Sequence, residues 1–81
     1  MRRFVIKPGG NIPLHTNSLE HEQFVLAGKA KLNINHEFFV VESGDVIFIP
    51  EGVPHSYVNL GNDDYVFLCM IPNKEDEKVV L

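Results

Sequence analysis

Four histidines, His15, His21, His36 and His55, are the residues in this chain whose type best suits chemistry. Neutral imidazole is the commonest protein ligand for borderline divalent metals, and three of them around one ion leave positions open for water or substrate. His15 and His21 flank a bend at Asn17-Ser18-Leu19, so two neighbouring strands can present both rings to one side. His55 opens a later strand just after the Pro- and Gly-containing stretch Pro50 to Pro54. These three rings could therefore converge. His36 falls in a turn, Asn33 to His36, and is expected to face solvent. No serine or cysteine nucleophile has a base arranged for it. Pro8-Gly9-Gly10 reads as a β-turn with no helix after it, which excludes a phosphate-binding glycine loop.

The elements that must carry these residues are short. Apolar segments rich in Val, Ile, Phe and Tyr are separated by Gly, Pro, Asn and Asp, and none shows helical periodicity, which reads as all-β. Strands are expected near Arg2–Lys7, Ile12–Thr16, Glu20–Leu26, Lys29–Ile34, Glu37–Glu42, Val46–Ile49, His55–Asn59 and Tyr65–Ile71. Eight strands with frequent turns make a sandwich or a barrel. With 81 residues the chain is expected to form one domain over 1–81, with a core at 9–72 and a loose charged tail at 73–81.

Charge and composition narrow the partners. A net charge of −4 and an isoelectric point near 5.4 argue against nucleic acid or an anionic membrane, which would want a basic face. Arg2-Arg3 is too small a cluster for phosphate-backbone binding. The longest apolar run, Tyr65 to Ile71, falls far short of the ~20 residues of a membrane helix. The lone Cys69 excludes an internal disulfide and fits a reducing compartment; with no recognisable signal peptide, the expected location is the cytoplasm.

The spacing of these residues resembles the cupin family. The first cupin motif is Gly, five residues, His-x-His, three or four residues, an acid, six residues, Gly. Here Gly9 and His15 match, Asn17 stands at the second His, His21 stands at the acid, and Gly28 follows after six residues. The second motif is Gly, five residues, Pro-x-Gly, two residues, His, three residues, Asn, and Gly44, Pro50, Gly52, His55 and Asn59 match it throughout. The run from His15 to Gly28 and the ending Phe67 to Pro72 are similar to small single-domain cupins that hold a metal through four histidines. The resemblance implies a cupin double-stranded β-helix, or jelly-roll barrel, with one divalent transition metal (Mn, Fe, Zn, Ni or Cu) at His15, Asn17, His21 and His55. Asn17 is the departure: its oxygen could ligate weakly or bond a metal-bound water, and a site lacking one imidazole could also hold no metal.

Strand alternation gives the wall of the pocket. With His21 inward, Gln23 and Val25 follow; with His55 inward, Tyr57 follows. On the last strand the inward set is Tyr65, Phe67, Cys69 and Ile71 or its complement, and the resemblance favours the first. Phe48 or Ile47 completes a mostly apolar pocket for a small-molecule ligand, with Gln23 and Tyr57 as polar handles. Glu20 and Glu22 are expected in solvent. The expected function is a metal-dependent enzyme, oxygenase- or isomerase-like, acting on a small organic substrate; the alternatives are a non-catalytic binding module and a metal-free structural dimer. Phe38 to Val41 and Val46 to Ile49 are apolar on both faces, which calls for a cover and points to a homodimer.

Overall fold

A computed structural model describes all residues 1–81. Nine strands form: β1 Arg2–Ile6, β2 Asn11–Asn17, β3 His21–Ala27, β4 Lys29–Ile34, β5 Glu37–Glu42, β6 Val46–Ile49, β7 His55–Asn59, β8 Tyr65–Met70 and β9 Lys78–Val80. Eight of them fall where the β-branched and aromatic runs between turn residues put them, with ends that differ by a residue or two. Asn35 and His36, both at positive φ (50° and 67°), make the two-residue turn that joins β4 to β5. His36 is exposed there.

The strands pair antiparallel in two sheets, ordered β1-β8-β3-β6 and β5-β4-β7-β2-β9. Without β9 this is the order of an eight-stranded jelly roll, in which successive strands alternate between sheets except at the β4–β5 hairpin, and the inner faces share one core. Val25, Leu32, Ile49, Tyr65 and Phe67 fill that core. Five of the 17 buried residues are polar, and four of the five, His15, Asn17, Gln23 and His55, line one cavity. Away from that cavity, the sheets part between β5 and β6 and leave a cleft of about 290 Å³ lined only by apolar side chains, Phe39, Val46 and Phe48 among them.

Residues 73–81 are not the loose tail that their charge suggests. Lys78–Val80 add a fifth strand to the free edge of β2, pairing His15 with Val80 and Asn17 with Lys78. Thus β2 lies between β7 and β9. Its pairing to β7 shifts register between Ile12 and His15, at Pro13, which has no N–H to give to a ladder.

Gly28 closes the β3–β4 turn at φ 86°, and a Cβ there would lie 2.8 Å from Tyr65 Cα and closer still to the Asp64 carbonyl oxygen. Both obstacles are backbone. Gly28→Ala is expected to cost about 2–4 kcal/mol, read as a lower urea midpoint at unchanged slope.

Candidate metal centre

Strand alternation brings the site together from both sheets. On β2, His15 and Asn17 point inward; on β7, His55 and Tyr57; on β3, His21 and Gln23; on β8, Phe67 and Cys69. All eight line a cavity of about 310 Å³. His15 and His55 are cross-strand partners in the β2–β7 ladder, and their rings lie 4.1 Å apart, tilted by 57°. The His21 ring approaches from the opposite sheet, 6.2 Å from that of His55. One wall is a stack of aromatic rings, Phe4 on Phe67 at 5.1 Å and Phe67 on Tyr57 at 5.3 Å.

Two imidazoles have their tautomer fixed by the backbone. His15 Nδ1–H donates to the Pro13 carbonyl at 2.8 Å, and His55 Nδ1–H donates to the Val53 carbonyl at 2.9 Å. Each is thereby left with a lone pair on Nε2, the arrangement that metal-binding histidines use. The hydrogen-bond partner of His55 Nε2 is the Asn17 amide, at a long 3.5 Å. Burial holds both rings neutral. It lowers the pKa of His15 and takes that of His55 down to about 4, against the opposing carbonyl hydrogen bonds.

His21 is engaged on both sides. Its Nε2–H donates to Asp76 Oδ2 at 2.9 Å, and Cys69 Sγ lies 3.2 Å from its Nδ1. Asp76 also accepts from Leu19 N–H at 3.1 Å and Ser18 Oγ–H at 3.3 Å. Burial alone would raise the Asp76 pKa, but these bonds together hold it below the usual carboxylate value. A base therefore does stand against Cys69, contrary to the sequence reading. Burial nevertheless pushes the Cys69 pKa up, which keeps it a thiol that donates to Nδ1 rather than a nucleophile.

The cavity wall holds His15, Asn17, His21, His55, Gln23, Tyr57, Phe67 and Cys69, but Val25, Phe48, Tyr65 and Ile71, expected inward with them, do not line it. Val25 is fully buried in the core. Phe48 is half exposed on the outer side of β6, because β6 pairs Ile47 with the inward Gln23 and Phe48 with the outward Glu22. Sequence reasoning missed Arg2, Phe4, Asp76 and Lys78, which also line the cavity. Asp76, not Glu20 or Glu22, is the carboxylate that bonds His21. The clue was confined to the charge of residues 73–78, since the contact spans 55 residues of sequence.

The donor set suits a borderline divalent ion in part. His15 and His55 offer free Nε2 lone pairs on one cavity, with Asn17 beside them. With His21 turned to Asp76, no three His, Cys, Asp or Glu side chains form a ready metal-binding group.

The Cupin domain family profile matches residues 2–71, the span that contains every strand of the jelly roll. The chain belongs to the cupin family. It is 32% identical over 66 residues to the uncharacterized protein MJ1618 of Methanocaldococcus jannaschii, a match covering 80% of this cupin and 53% of that protein. It is 44% identical over 50 residues to quercetin 2,3-dioxygenase of Bacillus subtilis, covering 60% of the chain and 15% of the enzyme. Among solved structures, oxalate decarboxylase of Bacillus subtilis superposes with a TM-score of 0.89 at 25% identity, over 98% of this chain and 22% of that one. A predicted oxalate decarboxylase of Thermotoga maritima superposes at 0.79 with 31% identity, over 85% and 61%. This cupin thus spans about half of its archaeal relative and a smaller part of the two Bacillus enzymes.

The lowered histidine pKa values set the pH dependence of stability. A folded-state His55 near 4 against an unfolded value near 6.5 means that the unfolded chain binds more protons between those limits. The metal-free protein is therefore expected to lose about 3 kcal/mol as pH falls from 6.5 to 4, with His15 adding in the same direction. Urea midpoints measured across that range check this, and His55→Gln is expected to flatten most of the slope.

Proposed function

We propose that this cupin is a metal-dependent enzyme, oxygenase- or isomerase-like, acting on a small organic substrate held in its barrel. The observation that carries the reading is the pair of buried, neutral imidazoles of His15 and His55, each with Nε2 free on a cavity large enough for a ligand. His15, His55 and His21 would hold one divalent transition ion with Asn17 beside it, His21 joining once Asp76 releases it. Such an ion supplies Lewis-acid polarisation or, if redox-active, dioxygen chemistry. The chain's own residues do the rest. The Phe4–Phe67–Tyr57 stack gives a flat apolar wall, Gln23 and Tyr57 offer polar contacts, and Asp76 is an ionised carboxylate that orients His21 at the mouth. The names of the relatives support the reading: a quercetin dioxygenase, and an oxalate decarboxylase with Mn(II) centres.

A second reading, a metal-free small-molecule-binding protein, is favoured by Asn17 in place of an imidazole and by the His21–Asp76 pair. Metal analysis of protein purified without a histidine tag separates the two. About one equivalent of a transition metal is expected, lost on dialysis only as pH falls towards 4, where protons begin to compete for the buried His55 imidazole. Asn17→His is expected to tighten binding about tenfold or more by adding a strong ligand. A chain that takes up no metal at neutral pH in either form would favour the second reading.

We also propose a homodimer. Phe38, Val40, Val46 and Phe48 are each more than half exposed, and the apolar cleft between β5 and β6 stays open in a single chain. A second copy covering that face would bury about 700–800 Å² per subunit. Sedimentation equilibrium at micromolar concentration is expected to give twice the 9.2 kDa chain mass, and Phe48→Lys with Val46→Lys is expected to return the chain to monomer.

A further inference from the structure

The mouth of the cavity contains a fitted place for a carboxylate, and the chain fills it with its own Asp76. Ser18 Oγ–H and Leu19 N–H donate to one oxygen, and His21 Nε2–H donates to the other. Both oxygens are used, one by a backbone N–H that no side-chain change removes. Charge points the same way. In a chain of net charge −4, Arg2 and Lys78 line this cavity and Asp76 is its sole acid, so the mouth keeps the cation Arg2 and no anion once Asp76 and its strap have left. A third observation lies deeper: Gln23 Oε1, on a side chain 1% exposed on the cavity wall, accepts no hydrogen bond from the protein. That orphaned acceptor wants a donor that the chain does not supply, which on an organic acid is a hydroxyl away from its carboxylate.

We propose that Ser18, Leu19 and His21 form the recognition subsite for the carboxylate of a small organic acid, which enters by displacing Asp76 and the strap of residues 73–81. The strap is held lightly enough to leave. Its strand is three residues long, exposed and paired on one side only, to β2, and beyond that ladder and Asp76 it is tied by Ser18 N–H to the Glu77 carbonyl, Glu77 N–H to Ser18 Oγ, and Leu81 N–H to the Leu14 carbonyl. The proposal deepens the reading above by naming a substrate class and rests on the cavity being a ligand site. It does not rest on the metal, because Ser18 and Leu19 are outside the proposed ligand set and serve a carboxylate with or without an ion.

The test is an NMR titration of the metal-free full chain with sodium acetate at constant ionic strength, with acetamide as the neutral control, in wild type, Asp76→Ala and Asp76→Asn. The Leu19 amide shift is expected to saturate in both variants at an acetate concentration at least about tenfold below that for wild type, because the internal competitor is gone. Acetamide should leave it unmoved, and adding Ser18→Ala should weaken the acetate response several-fold. In wild type, saturating acetate is expected to speed hydrogen exchange at Ser18 and Leu81, whose amides bond across the strap. Dispersed, folded spectra of either variant with no saturable acetate shift at Leu19, or an equal response to acetamide, would overturn the proposal. If both variants unfold, unchanged Ser18 and Leu81 exchange in wild type would overturn it. With no metal present, failure here leaves the metal analysis standing.

Discussion

Two carbonyl oxygens, those of Pro13 and Val53, each take the Nδ1–H of the imidazole two residues later in the chain. The rest of the site depends on this pair of bonds. They fix which nitrogen of His15 and His55 carries the proton, and so leave both Nε2 lone pairs on the cavity. They also offset part of the cost of burying two polar rings in a small core, where an unpaired donor would be expensive. The β2–β7 ladder then places the rings opposite each other, and the register shift at Pro13 occurs between Ile12 and His15. A proline that would weaken an ordinary ladder here supplies the acceptor that orients a site residue.

Burial works on the three rings unequally. His15 and His55 are almost wholly buried and stay neutral, ready to accept; His21, nearer the mouth, is taken up by Asp76 and Cys69. The structure thus has two fixed positions and one that is committed elsewhere. Since Asp76 lies two residues before the short edge strand β9, the segment controlling the third imidazole is among the most weakly held in the fold.

How much of this was legible in the sequence depended on the range of the interactions. Turn residues such as Gly28, Asn35-His36 and Pro50 to Pro54 act locally, so eight strands of a sandwich or barrel could be read from them, and the motif resemblance narrowed that to a jelly roll. The period of two along a strand put His21 with Gln23 and His55 with Tyr57, while the motif resemblance put Asn17 beside His15. It could not choose between Ile47 and Phe48, because that parity is set by register against β3, where Ile47 faces Gln23. Nor could it find Asp76. A charged run reads as solvated, and only the pairing of β9 with β2 carries that carboxylate to His21. Arg2 and Phe4 were hidden for the same reason, since the β1–β8 pairing that sets them on the cavity wall joins the two ends of the jelly roll.

The account comes down to whether the neutral imidazoles of this cupin hold one ion in common. Anomalous diffraction from crystals grown with Mn(II) at neutral pH, recorded above the manganese edge, tests this directly. The account predicts one strong peak within bonding distance, about 2.0–2.3 Å, of the His15 and His55 Nε2 atoms, with the His21 ring turned away from Asp76. A cavity without a peak, with His21 still bonded to Asp76, would contradict it.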